Sequence, residues 1–208
     1  MINIRKQKST ILLIVVNVII AIILSFKGDL ENADFMLSNG AMYAPYVLHY
    51  HEYYRMFTSI FLHFGFEHLI NNMMVLFVMG VRLECVADSF KFLIIYILSG
   101  LLGNVCSLLH TLNQNNFVVS AGASGAVFGI TGALLWVALI NNNYIGREWR
   151  KELLFVIAVN LFYGFTTSGI DNAAHIGGLI SGFLIAAFLC KPMWQKEKCY
   201  NDVERIGE

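Results

Sequence analysis

Residues 120–140 read SAGASGAVFGITGALLWVALI, a stretch without one ionisable side chain. At ~20 residues per span, a run of that length and polarity crosses a bilayer as a helix. Gly125 and Gly129 form a small-xxx-small pair within it, and Gly132 continues the same face. Such faces let two helix backbones approach closely. Ser124 stands directly before the first of these glycines, in the string Gly122-Ala123-Ser124-Gly125. A Gly-x-Ser-Gly string alone carries little weight, because both residue types are common in apolar helices.

The rest of the chain is built in the same way. Further apolar stretches lie at about 10–26, 66–86, 90–110, 153–167 and 173–191, which with 123–140 makes six. Of the 208 residues 57% are hydrophobic and 13% charged, with a mean hydropathy of +0.63. A soluble domain carries roughly 25% charged residues. The chain is also too apolar to be disordered. Its 14 basic and 14 acidic residues cancel, so a nucleic-acid partner has no electrostatic support. The expected fold class is an all-α membrane protein, a bundle of six transmembrane helices. Residues 1–9 form a cytoplasmic N-terminus, 10–191 the six-span domain and 192–208 a cytoplasmic tail. The tail is too short for a regulatory domain. The first span follows Arg5, Lys6 and Lys8 but lacks a small-x-small cleavage site, so it is expected to remain uncleaved. Cys85, Cys106, Cys190 and Cys199 show neither CxxC spacing nor a Cys/His cluster of zinc type.

Orientation follows from the basic residues. With six spans and the N-terminus inside, only Lys27 and Arg55 of the 14 Lys and Arg fall in outer loops. The positive-inside rule therefore places both termini in the cytoplasm. The first outer loop, about 27–64, holds Tyr43, Tyr46, Tyr50, Tyr53 and Tyr54. Tyrosine favours the headgroup level, so this loop is expected partly in the outer interface.

Polar residues inside spans are costly and mark functional candidates. His68 and Asn72 are four residues apart and share one face of the second span. His175 in the sixth span has Gly178 and Gly182 on its own face. Taken singly, each fits a structural hydrogen bond or close packing. The topology joins them, because the second, fourth and sixth spans all run inward. His68, Asn72, Ser124 and His175 each lie near the start of their span and so at one depth, in the outer leaflet. The glycine faces of the fourth and sixth spans would bring Ser124 towards His175. A serine nucleophile needs an adjacent base. The oxyanion it creates needs fixed donors, which His68, Asn72 and the Ser124 amide can supply.

These strings resemble the rhomboid family of intramembrane serine proteases. The motifs are HxxxN at His68 and Asn72, GxSG at Gly122–Gly125, and AHxxGxxxG from Ala174 to Gly182. Tyr53-Tyr54-Arg55 matches a first-loop aromatic–arginine motif, and Gly40-Ala41 and Pro45 resemble bacterial members. The resemblance implies a dyad of Ser124 as nucleophile and His175 as general base and acid. It implies an oxyanion hole of His68, Asn72 and the Ser124 backbone. Phe128 takes the place of an aromatic under the imidazole, and Glu84 that of a structural polar residue near the inner end of the second span. Gly122, Gly125, Gly178, Gly182 and Arg55 support the site.

The implied substrates are transmembrane segments of single-span proteins, met in the lipid bilayer and cleaved near the outer face. No cofactor or metal is expected: His51-Glu52-Tyr53-Tyr54-Arg55 lacks the second histidine of HExxH. His63 reads as a structural hydrogen-bonder. Asp171, four residues before His175, reads as a solvated residue at the outer end of a span rather than a third catalytic member. The glycine-rich segment Gly164–Gly169, with Thr166, Thr167 and Ser168, is expected to form a lid loop over the site. Close glycine packing at Ser124 favours a small substrate residue before the scissile bond. The rival classes are a non-proteolytic binder of transmembrane helices and a small transporter. A transporter would show internal repeats, and none is evident. The implied location is a bacterial inner or cytoplasmic membrane.

Overall fold

A computed structural model describes residues 7–114, 117–141, 147–167 and 169–191. Residues 1–6, the tail 192–208 and Ser168 of the expected lid lie outside the described residues. Among the described residues the chain is helical: α1 Lys8–Ser25, α2 Ala33–Ser38, α3 Ala44–His49, α4 Arg55–Thr58, α5 Gly65–Ala87, α6 Ser89–Gln114, α7 Ser124–Ile140, α8 Arg147–Thr166 and α9 Asn172–Leu189. A 3-10 turn, Ser59–Phe61, follows α4.

Helices α1, α5, α6 and α9 are each long and apolar enough to cross a membrane. Helix α7 is equally apolar but has 17 residues. Helix α8 opens on a charged turn with Arg150, Lys151 and Glu152 before its apolar part. Outward faces carry exposed Ile19, Phe77, Leu102, Phe155 and Phe162. Such faces suit lipid, which accepts apolar surface that water would reject.

Helix α7 is the axis of the bundle. Its residues from Gly125 to Leu134 are buried without a break, with α5, α6 and α9 packed around it. Helix α9 lies so close to α7 that a Cβ on Gly178 would sit 2.0 Å from the Gly125 carbonyl oxygen. A Cβ on Gly182 would meet the Gly129 oxygen at the same distance, and one on Gly132 the Leu179 oxygen. Contact this close supplies the dispersion that lipid cannot, since lipid tails are as apolar as the helices themselves.

Helix α1 is fastened to α5 by Glu84. This buried carboxylate accepts the backbone N–H of Ser9 at 2.9 Å and of Thr10 at 2.8 Å. It also accepts the hydroxyls of Thr10 and Ser89. It thus satisfies two of the amide donors that the start of a helix leaves unpaired. Asp88 makes the turn into α6 at φ 75° and accepts the Lys91 N–H at 3.1 Å.

The segment between α1 and α5 differs from a plain loop. Asn32 caps α2 by accepting the Phe35 N–H, and Pro45 stands in the first turn of α3. Arg55 is buried beneath them: Nη1 donates to the carbonyls of Leu37 at 2.6 Å and Ala41 at 3.0 Å, and Nε pairs with Glu52. The guanidinium lies 4.8 Å from the centre of the Tyr46 ring. One buried cation therefore organises this segment, while Tyr50, Tyr53 and Tyr54 remain exposed.

The extent of the expected loop is corrected. Helix α8 continues through Gly164 to Thr166, whose hydroxyl donates back to the Phe162 carbonyl. Of the link to α9, Thr167 and 169–171 are described, and none of them is helical. The flexibility of Gly164 is overridden by the apolar run around it and by a hydrogen bond from Asn172 Nδ2 to its carbonyl at 2.8 Å.

Candidate active site

Ser124 is the first residue of α7, so its amide belongs to the unpaired donors at a helix start. The loop before it is held from two sides. Met42 and Ser120 exchange backbone hydrogen bonds at 2.8 and 2.9 Å, and Gly122 N–H donates to the Ser59 carbonyl at 3.0 Å. Gly122 has φ +154°, and a Cβ there would lie 2.9 Å from His68 Cε1. Glycine is required twice over, by conformation and by the imidazole beside it. Next in the chain, Ala123 N–H donates to His63 Nε2 at 3.4 Å. Burial, with His68 adding to it, pushes the His63 imidazole down to about 3, so it stays neutral and can accept.

His175 lies one turn inside α9. Its ring stacks on Phe128 with centroids 4.3 Å apart and planes 17° apart. Phe128 is four residues beyond Ser124, on the same face of α7. The glycine contacts of α9 on α7 set this distance, because any larger residue at Gly178 would hold the two helices apart. Among the described residues the His175 Nδ1 has no hydrogen-bond partner. The carboxylate of Asp171 is engaged elsewhere, with the Ala174 N–H and the Ser107 hydroxyl.

From α5, His68 stands against the Ser124 loop, 5.3 Å from His63 between ring centres. The Asn72 amide turns back one turn and donates to the His68 carbonyl at 3.0 Å. Ser124, His68, Asn72, Phe128 and His175 all line one cavity of about 450 Å³. It lies between α5, α7 and α8 and reaches Thr131 and Ile157. Among the described residues no hydrogen bond joins Ser124 to His175. Unliganded enzymes commonly hold catalytic pairs at longer range and close them on substrate.

The remaining candidates divide. Gly122, Gly125, Gly178 and Gly182 shape the backbone around the cavity. Arg55 stands apart, fixing the outer segment rather than touching the cavity. His51 Nδ1 lies 3.0 Å from the Tyr53 hydroxyl on an exposed turn.

Two supports were not singled out in the sequence. Asn104 of α6 donates to the Met56 carbonyl at 2.6 Å and to Ser59 Oγ at 2.9 Å. It thereby fixes the residue whose carbonyl holds Gly122. Ser107, one turn on, holds Asp171. A polar residue inside an apolar span was the available signal for both.

The arrangement has relatives. The rhomboid domain family matches residues 50–192. The chain is 37% identical over 187 residues to "Rhomboid protease GluP" of Bacillus subtilis, covering 90% of this chain and 36% of that one. It is 37% identical over 149 residues to "Putative rhomboid protease YdcA" of the same organism, with 72% of each chain covered. It is 39% identical over 158 residues to "RHOMBOID-like protein 1" of Arabidopsis thaliana, covering 74% of this chain and 39% of that one. The chain thus spans little more than a third of the length of two of these relatives. Family and apolar helices together make this a multi-pass integral membrane protein, and the chain belongs to the rhomboid family.

Proposed function

We propose that this chain is an intramembrane serine endopeptidase that cleaves transmembrane segments of single-span membrane proteins. The observation that carries the reading is the convergence of Ser124, His68, Asn72 and His175 on one cavity, with the imidazole held flat on Phe128. Ser124 Oγ attacks the peptide carbonyl while His175 takes its proton. The tetrahedral oxyanion is met by His68, Asn72 and the Ser124 amide, the last at the positive end of α7. His175 then returns the proton to the leaving amine as the C–N bond breaks. Water, deprotonated by the same imidazole, hydrolyses the ester on Ser124.

The dyad reading is favoured by His175 itself, whose Nδ1 is hydrogen-bonded to no carboxylate among the described residues and whose plane is set by stacking instead. A small side chain precedes the scissile bond, because the imidazole of His68 crowds the backbone at Gly122. With α7 and α8 counted as spans, the chain crosses the membrane six times. Its basic residues then put both termini in the cytoplasm and the cavity towards the outer face of a bacterial cell membrane.

The test is cleavage of a model single-span substrate by the purified protein in detergent, beside Ser124→Ala and His175→Ala. Wild type cleaves, both variants fall to background, and a serine-reactive phosphonate labels Ser124 only when His175 is present. Cleavage surviving Ser124→Ala sinks the reading and leaves a binder of transmembrane helices in its place.

A further inference from the structure

We propose that Asp171 is a positioning residue for His175, acting on the helix turn that carries the imidazole and anchored by Ser107 of α6. The inference rests on the protease reading above. Asp171 Oδ1 accepts the Ala174 N–H at 3.0 Å, and its backbone carbonyl accepts the His175 N–H at 3.1 Å. The first turn of α9 therefore closes on this one residue. Its second carboxylate oxygen accepts the Ser107 hydroxyl at 2.5 Å.

Helix α6 meets α9 at the same level through a second feature. Gly103 is one turn before Ser107 on the same face, and a Cβ there would lie 2.8 Å from the Ala174 carbonyl oxygen. A Cβ on Gly177 would likewise lie 2.5 Å from Cys106 Cβ. Close approach sets the distance between the two helices. The Ser107–Asp171 bond sets how far along α6 the start of α9 sits.

This placement matters because so little else fixes the base. Among the described residues no carboxylate hydrogen-bonds Nδ1, so the ring depends on Phe128 beneath it and on the helix behind it. A helix start without its cap frays over its first turn, and His175 lies within that turn. A displacement of about 1 Å in a catalytic group can lower turnover by ~10²-fold.

The experiment compares the full chain with Asp171→Ala, Asp171→Asn, Ser107→Ala and the double alanine variant on the single-span substrate, with Ser124→Ala as the blank. Asp171→Ala is expected to lower kcat by roughly 10- to 100-fold with KM within about twofold. Asn keeps the capping oxygen, so Asp171→Asn restores most of kcat and leaves the acid limb of the kcat/KM profile in place. Ser107→Ala falls between, and adds little once Asp171 is gone.

Two results overturn the proposal: Asp171→Ala turning over like wild type, or Asp171→Asn as impaired as Asp171→Ala with a displaced acid limb. The latter would assign the carboxylate a charge role. Should Asp171→Ala not fold, Ser107→Ala decides: a severalfold loss of kcat supports the anchor and unchanged kcat removes it. Wild type without Ser124-dependent cleavage overturns the protease reading and this one together. Ser124-dependent cleavage indifferent to Asp171 and Ser107 overturns this one alone.

Discussion

Phe128 and His175 show how an apolar contact can orient an imidazole. An aromatic pair is worth about 0.5–1.5 kcal/mol beyond the area it buries. That is enough to favour one plane for an imidazole whose Nδ1 makes no hydrogen bond. Phe128→Ala is therefore expected to lower kcat by about tenfold, a barrier change of ~1.4 kcal/mol. Phe128→Tyr keeps the ring face and retains most of the activity. Steady-state kinetics on detergent-purified variants separates the two, and a loss confined to KM would show that the stack orients nothing. At this scale the sequence was informative about residue types and silent about contacts. His68, Asn72, Ser124 and His175 were legible because polar groups in apolar helices stand out. That Asp171 faces Ser107 was not, because the meeting depends on the rotation of α6 about its own axis.

Between elements, the glycines of α7 and α9 are not equivalent, although their spacing in the sequence makes them look so. A Cβ on Gly178 would press into the Gly125 carbonyl at 2.0 Å, whereas a Cβ on Gly125 would lie 3.5 Å from the Ala174 oxygen, ordinary contact. Gly178→Ala is thus expected to be destabilising by about 1–3 kcal/mol through overpacking and to part α7 from α9. Gly125→Ala leaves both stability and cleavage near wild type. Thermal unfolding and turnover of the two variants check this, and equal damage from both would refute the one-sided contact. Sequence spacing identifies which face packs but not which partner has the room. The same limit explains the lid: glycine at 164 suggested a turn, yet the apolar run and Asn172 carry the helix on to Thr166.

For the molecule as a whole, α1 is fastened at its start through Glu84, which lies on α5 with His68 and Asn72 but does not line the cavity. Glu84→Ala would strand the buried amides of Ser9 and Thr10 and cost about 3 kcal/mol of stability. Glu84→Gln keeps an acceptor oxygen and costs less. In both, the fraction that remains folded should turn over near the wild-type rate. A lower unfolding midpoint with unchanged kcat is the expected pattern, and a loss of kcat in folded Glu84→Gln would contradict it. The all-helical membrane class was legible from composition and from six apolar runs. The short helices between α1 and α5 were not, because they are organised by one buried arginine rather than by any periodicity of their own.

The 17 residues of α7 span about 26 Å, less than the ~30 Å hydrocarbon layer. A helix facing lipid would have to tilt, or thin the bilayer, to make up such a deficit. Helix α7 is wrapped by other helices over Gly125–Leu134, so that stretch presents little surface for a bilayer to match. At its Ser124 end the chain stops being helical and the cavity begins. A helix that stops this short leaves room for a cavity at its start, and Ser124 stands at the edge of that cavity.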